Sequence, residues 1–144
     1  MINIYTDGAC SGNPGEMGLG VFFKDLNSGF SIYKNYGTNN QAELLAIYYA
    51  LSFITEHKEV TIFTDSAYAI GMLDKGWQAK ANINLIQKLK KLISYFDITF
   101  KKVKGHAGIE GNEIADTLAT KAIKLKQNTF FPENSKFKNS KIFE

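Results

Sequence analysis

Hydrophobic and polar residues alternate in the first part of the chain as they do in β-strands with one buried face. Residues 2–6 alternate and end at Asp7, and two further strands are predicted at residues 19–24 and 30–36. Thr38 is a good helix-capping residue, and apolar side chains recur at helical spacing after it. They are Leu44, Ile47, Tyr48, Leu51 and Ile54. This part of the chain therefore predicts three strands followed by a helix.

Strands and helices alternate over the rest of the chain. A short β-rich run at residues 60–63 ends in Thr64 and Asp65, and another strand is predicted at residues 98–103. Helical patterns cover residues 66–73, about 85–93 and about 111–125. Helical crossovers between strands imply parallel neighbours, so we expect an α/β fold with a mixed sheet covered by helices on both faces.

The last 18 residues differ in character from the rest. Residues 127–144 are rich in Lys and Asn, include Pro132 and show no helical period. We expect one domain over residues 1–126, followed by an irregular or partly disordered tail. Four phenylalanines in the tail offer apolar surface for packing onto the domain: Phe130, Phe131, Phe137 and Phe143.

The composition narrows the class of protein but says little about its chemistry. The chain has 144 residues, 44% of them hydrophobic, and no apolar run approaches the ~18 residues of a membrane span. The N-terminus has no basic stretch followed by an apolar one, and the single Cys10 cannot form an internal disulfide. We therefore expect a cytoplasmic protein that does not contact a membrane.

The basic charge of the chain comes entirely from lysine. There are 17 lysines and no arginine, against 14 acidic residues. Gathering several acids into one metal site would leave a larger excess of lysine elsewhere on the surface. Lysines attract phosphates without reading sequence, so this excess suits a polyanionic partner. A mildly basic protein without such a partner explains the charge equally well.

Two predicted strands end in nearly the same residues. Residues 4–9 read IYTDGA and residues 62–67 read IFTDSA. If these strands are parallel neighbours about 4.8 Å apart, Asp7 and Asp65 converge at one edge of the sheet. Two carboxylates that close repel each other, and a divalent cation counters the repulsion. The alternative is that each aspartate caps the segment that follows it.

Three further residues are candidates for the same site, but each also has an ordinary structural explanation. Glu43 is expected in the first turn of its helix, where the helix dipole favours an acid in any case. Asp116 is explained equally well as a solvated acid on the last helix. His106 lies in a glycine-containing loop, where an imidazole suits proton transfer near neutral pH, although a lone surface histidine is the ordinary explanation.

Together these segments resemble type 1 ribonuclease H, the enzyme family that cuts the RNA strand of an RNA–DNA hybrid. The matching stretches are YTDGACSGNPG (residues 5–15), TNNQAEL (38–44), FTDS (63–66), VKGH (103–106) and GNEIAD (111–116). They occur in the family's order over about residues 1–125. The resemblance implies an RNase H-like fold, in which a five-stranded mixed sheet is flanked by helices on both faces.

The resemblance also implies a mechanism with two Mg²⁺ ions about 3.5–4 Å apart, Mn²⁺ being a possible substitute. Asp7 would bridge both ions, while Glu43 and Asp65 would hold the ion on the leaving-group side. Asp116 would hold the ion that activates water, and His106 would handle a proton or help the product leave. The expected products carry 5′-phosphate and 3′-hydroxyl ends, and no small-molecule cofactor is expected.

Substrate contacts are implied in the same way. Asn13, Asn39 and Gln41 would contact the hybrid near the minor groove, where the ribose 2′-hydroxyl distinguishes RNA from DNA. Thr38 and Asn82 would grip a phosphate of the DNA strand. The remaining implied contacts are Cys10, Ser11, Ser66 and Asn112, with Trp77 either stacked on the DNA strand or packed in the core. Such contacts read shape and sugar, so cleavage should be largely independent of sequence.

One region departs from the family pattern. Many cellular members carry an extra helix and a basic protrusion, but only nine residues separate Ser66 from Gly76 here. The chain therefore resembles a short form without the full protrusion, with weaker and more salt-sensitive substrate binding. Its possible remnants are Lys75, Lys80, Lys88, Lys90 and Lys91. Lys101, Lys102 and Lys104 would either compensate or form a solvated strand face.

Three other classes of protein compete with a hybrid-cleaving, monomeric enzyme. A non-catalytic hybrid-binding domain would have no use for clustered carboxylates. A related nuclease or nucleotidyl transferase acting on DNA is the second alternative, since a fold alone does not determine the substrate; residues 37–43, GTNNQAE, argue against it by resemblance. A flavodoxin-like binder is disfavoured because no phosphate-cradling glycine loop is present.

Overall fold

The secondary structure follows the predicted order and adds one strand. A computed structural model describes residues 1–56, 59–105 and 108–141. The strands are β1 (Ile2–Ser11), β2 (Gly15–Phe23), β3 (Ser28–Gly37), β4 (Glu59–Thr64), β5 (Asp97–Lys102) and β6 (Thr129–Phe131). The α-helices are α1 (Asn39–Ser52), α2 (Ala67–Leu73), α3 (Ile83–Ile93) and α4 (Glu110–Leu125). None of these helices is long and apolar enough to cross a lipid bilayer.

The strands form one mixed sheet in the order β5-β4-β1-β2-β3-β6. β1 pairs in parallel with β4, and β4 with β5, whereas β2, β3 and β6 continue the sheet in antiparallel pairs. In the central pair Ile4 lies opposite Ile62, and Tyr5 opposite Phe63. The two strands that carry the matching segments are therefore parallel neighbours, which confirms the α/β fold class and the arrangement on which the predicted site depends. The predicted end of the first strand at Asp7 is wrong, because β1 continues through Ser11 in its pairing with β2.

Helices cover both faces of the sheet, as predicted. On one face α1 and α3 bury a large apolar core that includes Ile4, Leu51 and Leu89. On the other face α4 packs against a smaller cluster of Tyr5, Phe22 and Ala115. Because β1 lies in the middle of the sheet, both layers pack against it.

The tail contributes a sixth strand to the sheet, which corrects the prediction of five strands. The tail is therefore not irregular throughout. β6 pairs with β3, and the hydroxyls of Ser31 and Thr129 lie 2.5 Å apart in a buried hydrogen bond. Further along, the ring of Phe137 packs 5.3 Å from the ring centroids of Phe23, Phe30 and Phe53. A three-residue strand is too short to show a period, and it is held by its pairing with β3. Phe143 lies outside the described residues.

Loss of the Phe137 ring should destabilise the whole domain. We expect Phe137→Ala to lower the free energy of unfolding by about 2–3 kcal/mol, less than for a fully buried phenylalanine because the ring is half-buried. Urea unfolding followed by circular dichroism measures the change. Phe131→Ala is the matched control. Because that residue is 37% exposed, its substitution should lower the free energy of unfolding by less. Equal losses in the two variants would show that the tail does not anchor through Phe137.

Candidate active site

Three carboxylates meet where the parallel pairing of β1 with β4 ends. Asp7 lies in the middle of β1, two residues beyond the last β1–β4 pair, Tyr5 opposite Phe63, and Asp65 directly follows β4. One carboxylate oxygen from each of Asp7, Glu43 and Asp65 lies within 4.8 Å of the other two. Neither aspartate caps the segment that follows it, because Asp7 lies within β1 and Ser66 supplies the N-cap of α2 through its hydroxyl. All the donors in this group are hard oxygen atoms, which suit Mg²⁺ or Mn²⁺.

Glu43 reaches this group because α1 packs unusually close to β1. The backbone N–H of Gly8 donates a hydrogen bond of 2.8 Å to Oε1 of Glu43. A Cβ atom on Gly8 would lie only 2.4 Å from the backbone of Ala42 and of Glu43. The predicted place of Glu43 in the first helical turn is wrong, because α1 begins at Asn39 with Thr38 as its N-cap. Tertiary packing places this acid, and the helix dipole has little part in it.

Asp116 approaches the group from the opposite layer. It lies on α4, and its side chain forms a hydrogen bond with Asp7. Asp116 stands outside the group of three that lie within 4.8 Å of one another. The structure thus brings all four predicted acids together around the middle of β1, with Asp7 in contact with both layers.

Burial and mutual repulsion keep protons on this site in the absence of a cation. Burial raises the pKa of Asp7 to about 9, with further contributions from Glu43, the Asp116 hydrogen bond and Asp65. Burial, followed by repulsion from Asp65, raises the pKa of Glu43 to about 8, although the Gly8 N–H opposes the shift. Asp7 is only 6% exposed, so solvent cannot relieve the repulsion. A divalent cation would replace these protons, and the residues therefore fit such an ion.

The loop after β5 closes the site on the side of Asp65. The backbone N–H of Val103 donates to the carbonyl of Thr64, at 2.9 Å. A Cβ atom on Gly105 would lie 2.7 Å from Oδ2 of Asp65. A larger residue at position 105 would therefore push the Asp65 carboxylate aside. His106, the predicted proton-handling residue, follows in the chain but lies outside the described residues.

A surface groove brings four of the predicted substrate contacts together. It has a volume of about 560 Å³, and Asn13, Thr38, Trp77 and Asn82 all line it. Trp77 is 49% exposed, and its indole occupies the space where Gly71 would carry a side chain. Core packing therefore explains only one face of this ring. The other lining residues are Asn40, Tyr68, Met72, Gln78, Lys80 and Ala81.

Sequence reasoning missed Tyr68 as a part of this groove. Its hydroxyl accepts a hydrogen bond of 3.1 Å from Nδ2 of Asn82. Asn82 itself has a left-handed backbone, with φ of 56°, at the start of α3. From the sequence, Tyr68 is one more apolar position of a short helix. Only the helix–helix contact shows that its hydroxyl points into the groove.

The remaining predicted contacts lie around the β1–β2 turn and the adjacent helix ends. Oδ1 of Asn13 accepts a hydrogen bond from the backbone N–H of Asn39, at 3.1 Å, which ties the turn to the start of α1. Ser11, Asn13 and Asn39 are exposed, whereas Cys10 and Gln41 are half-buried.

Ser66 and Asn112 are buried. Asn112 is only 3% exposed, and its Oδ1 has no hydrogen-bond partner among the described residues. Ser66 uses its hydroxyl as a helix cap, so it is placed less well for direct substrate contact than the exposed residues of the β1–β2 turn.

An α/β sheet with carboxylates clustered beside the parallel pair β1 and β4 is typical of nucleases that depend on divalent cations. The RNase H family model matches residues 1–124. The chain belongs to the RNase H family, and it is an enzyme of the ribonuclease H type. This confirms the resemblance drawn from its motifs.

Individual relatives cover most of the chain. Ribonuclease H of Chlorobium phaeobacteroides (strain BS1) is 40% identical over 139 residues, which are 85% of this chain and 95% of that protein. Ribonuclease H of Rippkaea orientalis is 37% identical over 159 residues, covering 96% of this chain and 93% of the relative.

Two solved structures share the fold. RNase H1 from the halophilic archaeon Halobacterium salinarum NRC-1 superposes with a TM-score of 0.75 at 26% identity, covering 85% of this chain and 97% of that one. LC11-RNase H1, solved in complex with an RNA/DNA hybrid, gives a TM-score of 0.74 at 26% identity, covering 88% and 99%.

Proposed function

We propose that this chain is an endoribonuclease that hydrolyses the RNA strand of RNA–DNA hybrids with two Mg²⁺ ions. The observation that carries the proposal is the meeting of Asp7, Glu43 and Asp65 within 4.8 Å, with Asp116 hydrogen-bonded to Asp7. Family membership and a structural relative solved with an RNA/DNA hybrid support the choice of substrate. Mn²⁺ would substitute, and the products would carry 5′-phosphate and 3′-hydroxyl ends.

The position of each acid suggests its role. Asp7 contacts the other acids from both layers and would be the ligand shared by both ions. Glu43 and Asp65 would hold one ion on the α1 side, and Asp116 the other on the α4 side. Bound divalent cations of this kind polarise the scissile phosphate and lower the pKa of the attacking water. His106, next to Gly105, would accept or deliver a proton near the leaving group.

The groove of about 560 Å³ would hold the DNA strand. Thr38 and Asn82 would bind a phosphate, and the half-exposed face of Trp77 would stack on a sugar or base. The RNA strand would run over the β1–β2 turn, contacting Cys10, Ser11, Asn13, Asn39 and Gln41. Ser66 and Asn112 would contribute at the edge of the carboxylate cluster.

Two further observations bear on the setting of the enzyme. We place it in the cytoplasm, because its free Cys10 suits a reducing compartment. We propose that it acts as a monomer, since the carboxylates and the groove come from one chain.

A panel of end-labelled substrates tests this function. The purified protein with Mg²⁺ should cut the RNA strand of a hybrid at many positions and leave single-stranded RNA and duplex DNA essentially intact. Chelation of the metal should stop cutting, and Mn²⁺ should restore it. Comparable cutting of duplex DNA would favour the related DNA nuclease. Tight hybrid binding without cutting in either metal would favour a non-catalytic domain.

A further inference from the structure

α4 packs on the sheet over two glycines of β2. A Cβ atom on Gly18 would lie 1.8 Å from the carbonyl oxygen of Ala119. On Gly20 it would lie 2.0 Å from the carbonyl oxygen of Ala115. Real Cβ contacts essentially never fall below 3.0 Å. The backbone of α4 therefore occupies space that any other residue at these two positions would fill with its side chain.

The second of these contacts lies at the carboxylate cluster. In the β1–β2 ladder Gly20 is the partner of Asp7. On α4, Ala115 directly precedes Asp116, whose side chain hydrogen-bonds Asp7. One contact between backbones thus joins the strand position beside Asp7 to the helical turn that carries Asp116.

The other acids are placed by different contacts. Glu43 depends on the close approach of α1 to Gly8, and Asp65 lies against Gly105. The position of Asp116 depends on the distance between α4 and the sheet. At Gly20, α4 contacts β2 through backbone atoms. No side chain lies between the two elements that could rearrange, so a larger residue there would move the helix itself.

We propose that Gly20 is a positioning residue, which sets the distance between Asp116 and Asp7. The inference rests on the proposed function in one respect, the role of Asp116 as a metal ligand. With alanine in place of Gly20, α4 must recede by at least about 1 Å to bring the contact with the Ala115 carbonyl from 2.0 Å to the 3.0 Å limit. A misplacement of about 1 Å at a catalytic group costs on the order of 10²-fold in rate.

Gly20→Ala and Gly18→Ala form a matched pair. Both place a methyl group against a carbonyl of α4, but the contacts lie four residues apart, which is about 6 Å along the helix. Both should lower the melting temperature. At a temperature where circular dichroism shows both folded, we expect Gly20→Ala to lose about 100-fold in kcat for hybrid cleavage. Gly18→Ala should stay within about tenfold of wild type.

Metal affinity distinguishes a positioning role from general destabilisation, because a loss of stability alone would not weaken metal binding by the folded protein. Calorimetric titration of the folded proteins with Mn²⁺ should show weaker binding for Gly20→Ala than for Gly18→Ala, and the Mg²⁺ concentration for half-maximal activity should rise in the same order. Equal metal affinities in the two variants, or equal losses of kcat, would overturn the positioning role.

A second pair covers the case in which Gly20→Ala does not fold. Ala115 and Ala119 are both fully buried under the same helix. Ala115→Val and Ala119→Val add the same volume from the helix side, and only the former should weaken Mn²⁺ binding strongly. Wild type and Asp116→Asn are measured in parallel. A wild type that cuts no hybrid sinks the proposed function, while the difference in Mn²⁺ affinity within each pair still decides the role of Gly20.

Discussion

Asp7→Asn should reduce hybrid cleavage by about 10³-fold or more while leaving hybrid binding within a few-fold of wild type. Asp7 is the acid in contact with both layers, so an uncharged amide there weakens the site for both ions. Cation assistance contributes several kcal/mol to such reactions, and each 1.36 kcal/mol corresponds to a factor of about ten. Binding should survive because the groove lined by Trp77 and Asn82 does not include Asp7.

Single-turnover cleavage with excess enzyme and a separate binding titration distinguish these two effects. Asp74→Asn is the matched control, because that aspartate is exposed at the C-terminal end of α2, the end away from Ser66 and the strand ends. It should cleave at the wild-type rate. An Asp7→Asn protein that keeps a tenth of the wild-type activity would exclude Asp7 as the shared ligand.

Without metal, the protein should become less stable as the pH rises from about 5 to about 8. The pKa of Asp7 is raised to about 9 and that of Glu43 to about 8 in the folded chain. An unfolded chain loses these protons near pH 4, so between the two values it binds fewer protons than the folded chain. The stabilising effect of the protons is complete below the unfolded pKa and is lost as the pH rises through the folded pKa.

The comparison with Asp7→Asn isolates this contribution from the other titrating groups. Asparagine removes one acid and relieves the repulsion on Glu43, so the variant should be more stable than the metal-free wild type at about pH 8, by on the order of 2 kcal/mol. The difference should vanish at about pH 4, where the carboxyl is protonated in both states. Urea unfolding at several pH values in chelator measures it. Saturating Mg²⁺ should reverse the order, because the cation binds only the folded wild type tightly. A constant difference at all pH values would contradict the linkage.

The sheet and the two aspartates were predictable because their signals are local. Alternation and helical spacing need only a few residues, and a parallel pair of strands brings Asp7 and Asp65 together without further information. Glu43 and Asp116 could be predicted only through the family resemblance, because α1 and α4 place them by packing. Their distances depend on Gly8 and Gly20, whose role becomes visible only when a neighbouring backbone is known.

What was missed depends on contacts between distant parts of the chain. β6 has three residues and no detectable period, and its pairing with β3 joins Ser31 to Thr129. Tyr68 enters the groove because α3 places Asn82 against its hydroxyl. Neither contact leaves a pattern in the residues around it. The raised pKa values are likewise a property of the assembled site, since they come from burial and from acids on other elements.

The late arrival of β6 has a consequence for synthesis on the ribosome. β1, β2 and β3 are consecutive and can pair as soon as they leave the exit tunnel. The outer edge of β3 stays uncovered until Thr129 is made, 98 residues after its partner Ser31. An uncovered edge strand is a template for another chain. Nascent chains on neighbouring ribosomes are therefore most prone to associate through β3 during this interval, and pairing of the newly made β6 with β3 ends the exposure.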